Sequence, residues 1–283
     1  MRKISVAVLV ISVMCASIAL GQEKKTEPAK SSTPTVDEVV NRTNEVSYYK
    51  GKDGRAKVSM TITDSQGRKR EREFVILRRD EPPKEAGEKD DDKYCGDQKF
   101  YIFFNRPPDV NKMVFLVWKH IDKEDDRWLY LPALDLVKRI SASDKRTSFV
   151  GSNFFYEDVS GRSITEDTHE LLDTTDSFYV LKNVPKDTES VEFAYFKIWV
   201  HKASFLPVKI EYFDKNDEKY REYEALKVEN IQGFPTVVKA SMKDLRNKEN
   251  TVLEYEDVKY NIDLPESIFT ERYLRKAPKK YLK

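Results

Sequence analysis

Glycine is scarce in this chain, with nine in 283 residues. That is too few for a phosphate-cradling loop to be concealed, and neither a Walker nor a dinucleotide glycine pattern occurs. A Gly-x-Ser-x-Gly elbow is also missing: Ser152 follows Gly151, but no second glycine comes after it. The three histidines, His120, His169 and His201, form neither an HExxH nor an HxH pair. A metal site is therefore not expected, and each histidine reads as a surface or strand-edge residue. Cysteine is nearly absent. Cys15 lies in the N-terminal apolar run behind Met14, where lipid modification wants a smaller residue, and Cys95 stands alone. Once the N-terminal run is removed no intramolecular disulfide can form, so the fold must rest on its core. Nor does either sign of charge prevail, with 50 basic against 49 acidic residues. Such a balance argues against nucleic acid as a partner. No cofactor is expected.

Long hydrophobic runs are absent except at the start. Arg2 and Lys3 precede an apolar run from Ile4 to Leu20, and Ala19-Leu20-Gly21 offers small residues at a signal-peptidase site. Residues 1–21 thus read as a secretory signal cleaved after Gly21, with an uncleaved N-terminal anchor as the alternative. Residues 22–35, QEKKTEPAKSSTPT, are polar and twice interrupted by proline, a disordered linker. Residues 36–283 remain, enough for one domain of generous size or two small ones, and are taken as a single domain.

Within that domain Thr35 is placed to cap a helix through VDEVVNRTNEVSYY, with Val36, Val39, Val40 and Val46 as its apolar stripe. After Gly54 the rhythm becomes two: Ala56, Val58, Met60 and Ile62 alternate with polar residues, the mark of a strand with one buried face. Asp64-Ser65-Gln66-Gly67 makes a turn, and strand-like runs then recur to Tyr260 with short polar turns between them. Sequential antiparallel pairing is the economical topology. Asp80 to Asp97 is an exposed, charged loop, and its Asp90-Asp91-Asp92 run lacks the spacing of a calcium loop. Further helices are expected over Ser163 to Asp173 and near Pro265 to Phe269.

The acid pair Glu157-Asp158 is the best candidate for an enzymatic reading. On a strand, neighbours point to opposite faces, so the two cannot flank one scissile bond together. A structural role for Asp158, such as bonding turn amides, is the simpler account, and no catalytic residue is assigned. Aromatic content is the more telling feature, with 15 Phe, 15 Tyr and 3 Trp. In FYIFF, Phe100, Ile102 and Phe104 share one face and Tyr101 and Phe103 the other. In MVFLVW, Phe115 and Val117 oppose Val114, Leu116 and Trp118. Strands apolar on both faces must be covered on both, by helices or by a ligand. In EFAYFKIWV, Phe193, Tyr195, Lys197 and Trp199 alternate with Ala194, Phe196 and Ile198.

One block carries a resemblance. WLYLPALDLVKRISASDKRTSFVGSNFFYEDV, from Trp128 to Val159, is similar to the signature of the outer-membrane lipoprotein-sorting protein family, relatives of the periplasmic lipoprotein carrier LolA. The match rests on Trp128 to Ala133, Lys138 to Ile140, and Phe149, Gly151, Ser152, Phe154 and Tyr156 to Asp158. Upstream, FFNRPPDVNKMVFLV resembles a second family block, with Met113 where glycine is usual. The resemblance runs from about Val36 to Arg275. It implies a mainly β fold: a curved, incompletely closed antiparallel half-barrel covered by helices. It further implies a non-enzymatic, monomeric periplasmic carrier that shelters a lipid or lipoprotein acyl chain for transfer toward the outer membrane. Keeping about 16 methylenes from water is worth roughly 13 kcal/mol, so such a cargo needs a cavity. Phe100, Phe104, Phe115, Trp128, Tyr130, Phe154, Phe193 and Trp199 are the candidate cavity residues, and Lys138, Arg139 and Lys145 the candidate rim. The alternative is an adaptor that docks on an inner-membrane transporter of the resistance-nodulation-division type.

Overall fold

Thr35 opens the ordered fold. In the computed structural model, which describes residues 33–81 and 96–283, its hydroxyl accepts from the Glu38 amide at 3.2 Å while the Glu38 carboxylate accepts from the Thr35 amide at 2.9 Å. This reciprocal cap starts α1, Val36–Tyr48, as the sequence predicts. The expected signal segment, residues 22–32 of the expected linker, Cys95 and most of the charged 80–97 stretch lie outside the described residues. Among the described residues no helix is long and apolar enough to cross a membrane.

The rest is one antiparallel sheet. Its strands are β1 (Asp53–Thr63), β2 (Lys69–Asp80), β3 (Gln98–Arg106), β4 (Val114–Lys119), β5 (Asp126–Leu131) and β6 (Leu136–Arg139), then β7 (Asp167–Thr174), β8 (Phe178–Pro185), β9 (Tyr195–His201), β10 (Pro207–Phe213), β11 (Lys219–Ile231), β12 (Phe234–Asp244) and β13 (Glu249–Tyr260). Two meanders, β1 to β6 and β7 to β13, are joined where the last strand pairs with the first, Met60 opposite Leu253. The sheet is not closed into a barrel, and β6 and β7 stand at its two ends. Turn chemistry sets the register locally. Between β1 and β2 the Asp64 carboxylate accepts from the amides of Gln66 and Arg68, and Gly67 takes a φ of +79°.

The alternation within the central strands sorts their residues onto two cores. Phe100, Ile102, Phe104, Phe115 and Val117 face the inner core, packed with Phe149, Phe154 and Tyr156. Tyr101, Val114, Leu116 and Trp128 face the outer one, which the C-terminal segment covers with Leu264, Ile268, Phe269 and Leu274. Trp118 donates its indole N–H to the Phe269 carbonyl at 2.7 Å, fixing that cover. The double-sided apolar strands thus have protein on both faces.

Three expectations require correction. Ser163 to Asp173 is not a helix: a single 3-10 turn, Ile164–Glu166, leads into β7, because Asp167 to Thr174 pairs with β8, a strand the sequence pattern left unassigned. Near Pro265 the backbone makes one 3-10 turn, Glu266–Ile268, before the short helix α3, Arg272–Arg275, which the sequence pattern also missed. Helix α2, Tyr156–Ser160, precedes it in the chain. Glu157 and Asp158 lie not on a strand but in that helix α2, where Asp158 caps the N-terminus by accepting from the Phe155 amide at 2.6 Å.

Candidate ligand-binding hollow

Two elements cover the inner face of the sheet without filling it. Helix α1 lays Val36, Val39, Val40 and Val46 on the β7–β9 half, against Tyr179, Leu181, Val200 and Phe205. The segment between β6 and β7, which contains α2, lays Phe149, Phe154 and Tyr156 on the other half, where the rings of Phe115 and Tyr156 stand 5.0 Å apart. Between the two covers lies a cavity of about 430 Å³. That volume falls within the roughly 300–1,000 Å³ of small-molecule sites. Its walls are mostly apolar: Met60, Phe74, Ile76, Phe100 and Ile102 from one half-sheet, and Leu181, Phe196, Ile198, Ile210, Met242 and Leu253 from the other.

Charged groups occupy its borders. Arg78 lines one end with its guanidinium spent on the carbonyls of Tyr48, Lys50 and Gly51. Lys50 lines the same region, and burial together with Arg78 pulls its ammonium down to about 8. At the α2 border Arg146, Arg162, Asp158 and Asp167 contribute to the lining. Behind them Glu157 is 2% exposed and meets three cations, Arg146 at 2.7 Å and Lys145 and Arg162 each at 3.4 Å. Burial alone would raise its carboxyl, but Arg146, Arg162 and Lys145 outweigh that and hold it below the ordinary carboxylate range. Asp158 is bound by Arg221, whose guanidinium also lies 4.1 Å from the Phe155 ring centre and donates to the Asn153 carbonyl at 3.0 Å. These contacts clamp the covering segment to the sheet, and both carboxylates of the acid pair are engaged in it.

The candidate residues separate into groups. Phe100 and Phe154 line the hollow. Phe104 and Phe115 sit in the inner core behind it. Trp128 and Tyr130 face the outer core, and the Trp128 ring meets Trp118 at 5.0 Å. Phe193 precedes β9 and packs in a small cluster with Tyr212 and Tyr220, while Trp199 lies under the Lys209 ammonium at 4.9 Å. Lys145 is buried among Glu124, Glu157 and Glu166. Lys138 and Arg139 lie on the end strand β6, Arg139 paired with Asp126, and neither borders the hollow. Sequence reasoning passed over Phe196, Ile198, Tyr212, Tyr223 and Tyr255, which do line it. A signal existed: Glu222-Tyr223-Glu224 and Glu254-Tyr255-Glu256 each set a ring between outward acids, and Tyr212 follows Glu211. On the outer face Lys209, Lys219 and Lys243 pair with Glu211, Glu222 and Glu224. The histidines are held in place, His120 by Asp97 and Asp126 and His169 by Asn183 and the Ile164 carbonyl. Among the described residues no cluster of three His, Cys, Asp or Glu side chains could hold a metal.

A family model described as "Uncharacterized protein" matches residues 96–276, from just before β3 to just after α3. The chain belongs to that family. Its fold is LolA-like. A DUF1329 family protein from Desulfovibrio piger is 27% identical over 86% of this chain and 100% of its own, with a TM-score of 0.73. A putative outer membrane lipoprotein-sorting protein domain from Vibrio parahaemolyticus is 24% identical, with 84% of this chain and 97% of that one covered and a TM-score of 0.74. A LolA superfamily protein from Nitrosomonas europaea is 20% identical over 85% of this chain and 100% of that one, at a TM-score of 0.63. Among curated proteins none matches the sequence. The LolA-like sheet, open and only partly covered on its inner face, is what leaves the hollow between α1 and the α2 segment.

Proposed function

We propose that this protein is a non-enzymatic carrier or chaperone, exported to the periplasm, that shelters a lipid or a lipoprotein acyl chain for transfer toward the outer membrane. The observation that carries this reading is the apolar hollow of about 430 Å³ beneath α1 and the α2 segment. Each methylene moved from water into such walls is worth about 0.8 kcal/mol, which supplies a strong driving force for an acyl tail and very little selectivity among tails. The lipoprotein-sorting name of the Vibrio relative agrees with a carrier on this fold. Glu157 and Asp158 are committed to Arg146 and Arg221, which supports a structural rather than catalytic role for the pair.

Native mass spectrometry of the freshly purified protein is the direct test. A bound lipid mass, identified by extraction from protein recovered from the host periplasm, is expected. A clean unliganded mass under mild conditions, unchanged after incubation with lipid vesicles, overturns the carrier reading in favour of an adaptor for an inner-membrane transporter.

A further inference from the structure

The hollow is greasy, but its walls hold hydroxyls that the protein itself does not use. Tyr48 of α1, Tyr212 of β10, Tyr223 of β11 and Tyr255 of β13 all line it, and no hydroxyl of the four bonds to a described residue. Tyr260 nearby behaves differently, with its hydroxyl 2.9 Å from that of Thr236. Tyr212 is 8% exposed, so its hydroxyl has the cavity and little else to turn to. Burial raises the phenols of Tyr48 and Tyr223 above their ordinary value, and brings Tyr212 and Tyr255 to about 12. The rings also feel one another: Tyr212 and Tyr255 add to the rise at Tyr48, and Tyr255, Tyr48 and Tyr212 to that at Tyr223, which marks them as one group. Buried tyrosine hydroxyls ordinarily find a partner, and a purely hydrocarbon ligand leaves these without one.

We propose that the cargo carries a neutral oxygen group, an ester or a hydroxyl, into the hollow against Tyr48, Tyr223 and Tyr255. The ligand class is then an esterified or hydroxylated acyl lipid, not a plain tail whose polar end stays outside. Neutral oxygen suits this spot, because the bordering cation Arg78 is already spent on backbone carbonyls and Arg221 on Asp158. A phenol both donates and accepts, so it serves an ester carbonyl or a hydroxyl equally well. The inference rests on the carrier reading and narrows it.

The test displaces a fluorescent fatty-acid probe from the full-length protein with stearate or with 3-, 10- or 12-hydroxystearate. The same titrations are run on the triple variant Tyr48→Phe, Tyr223→Phe, Tyr255→Phe, which keeps the ring volumes. In the native protein at least one hydroxystearate displaces the probe at about tenfold lower concentration than stearate. In the variant that preference falls below about twofold. Equal displacement by all four acids in the native protein, or a preference that survives the triple variant, overturns the proposal and leaves the carrier intact. Failure of the probe and every acid to bind overturns the carrier reading itself.

Discussion

The tip of the Tyr48 ring occupies the space where a side chain on Gly161 would begin. A Cβ there would stand 2.6 Å from the Tyr48 hydroxyl and nearer still to its Cζ, and Gly161 holds a φ of +80°. This contact ties the end of α1 to the end of α2, the two covers of the hollow. Gly161→Ala is expected to cost about 1–3 kcal/mol in denaturant unfolding, from both the displaced ring and the left-handed backbone. Adding Tyr48→Ala should not restore full stability, since the backbone term remains.

Glu157 is the centre of a buried ion network, and removing its charge takes one counter-charge from Arg146, Lys145 and Arg162, which keep Glu192, Glu124, Glu166 and Asp167 as partners. Glu157→Gln should destabilise by about 1–3 kcal/mol. The native carboxyl lies below its unfolded value, so the fold binds fewer protons there than the unfolded chain. Its stabilisation is therefore present above the ordinary carboxylate range and is lost as pH falls through the folded value. Unfolding midpoints of the native protein should drop steeply on acidification, and the slope should flatten in Glu157→Gln. Parallel curves would assign the acid sensitivity to other carboxylates.

Filling the hollow should separate fold from cargo. Ala56 of β1 is half-buried and lines the cavity. Ala56→Trp should retain the native far-ultraviolet circular dichroism, at an overpacking cost of about 1–3 kcal/mol, while co-purified lipid disappears from the native mass spectrum. Lipid that persists at wild-type stoichiometry would place the binding site elsewhere.

The C-terminal cover should prove structural. Phe269 is fully buried on the outer core and takes the Trp118 hydrogen bond through its carbonyl. Phe269→Ala is expected to cost about 3–5 kcal/mol without changing lipid affinity, because the hollow is on the other face. A loss of lipid binding in variant protein that is still folded would couple the two cores.

Much of this architecture was written locally. Alternation in FYIFF and MVFLVW already assigns Phe100 and Phe115 to one face and Tyr101 and Leu116 to the other, and the two cores divide along that line. Thr35 and Glu38 mark the start of α1 by themselves, since a capping box needs only neighbours in sequence. The segment from Asp167 to Thr174 shows where local reading runs out. Its residues tolerate helix, and only pairing with Phe178–Pro185 makes it a strand.

Aromatic sequence determined that there would be two-faced strands, and the block from Trp128 to Val159 determined the family resemblance. Tertiary structure alone decided which rings enclose space. Trp128 and Phe100 are equally greasy in the sequence, yet one is sealed beneath Phe269 and the other borders the hollow. Alternation names the two faces of a strand but not what covers either. A void forms because covering segments distant in the chain, here α1 and the α2 segment, meet at their ends without filling the sheet face between them.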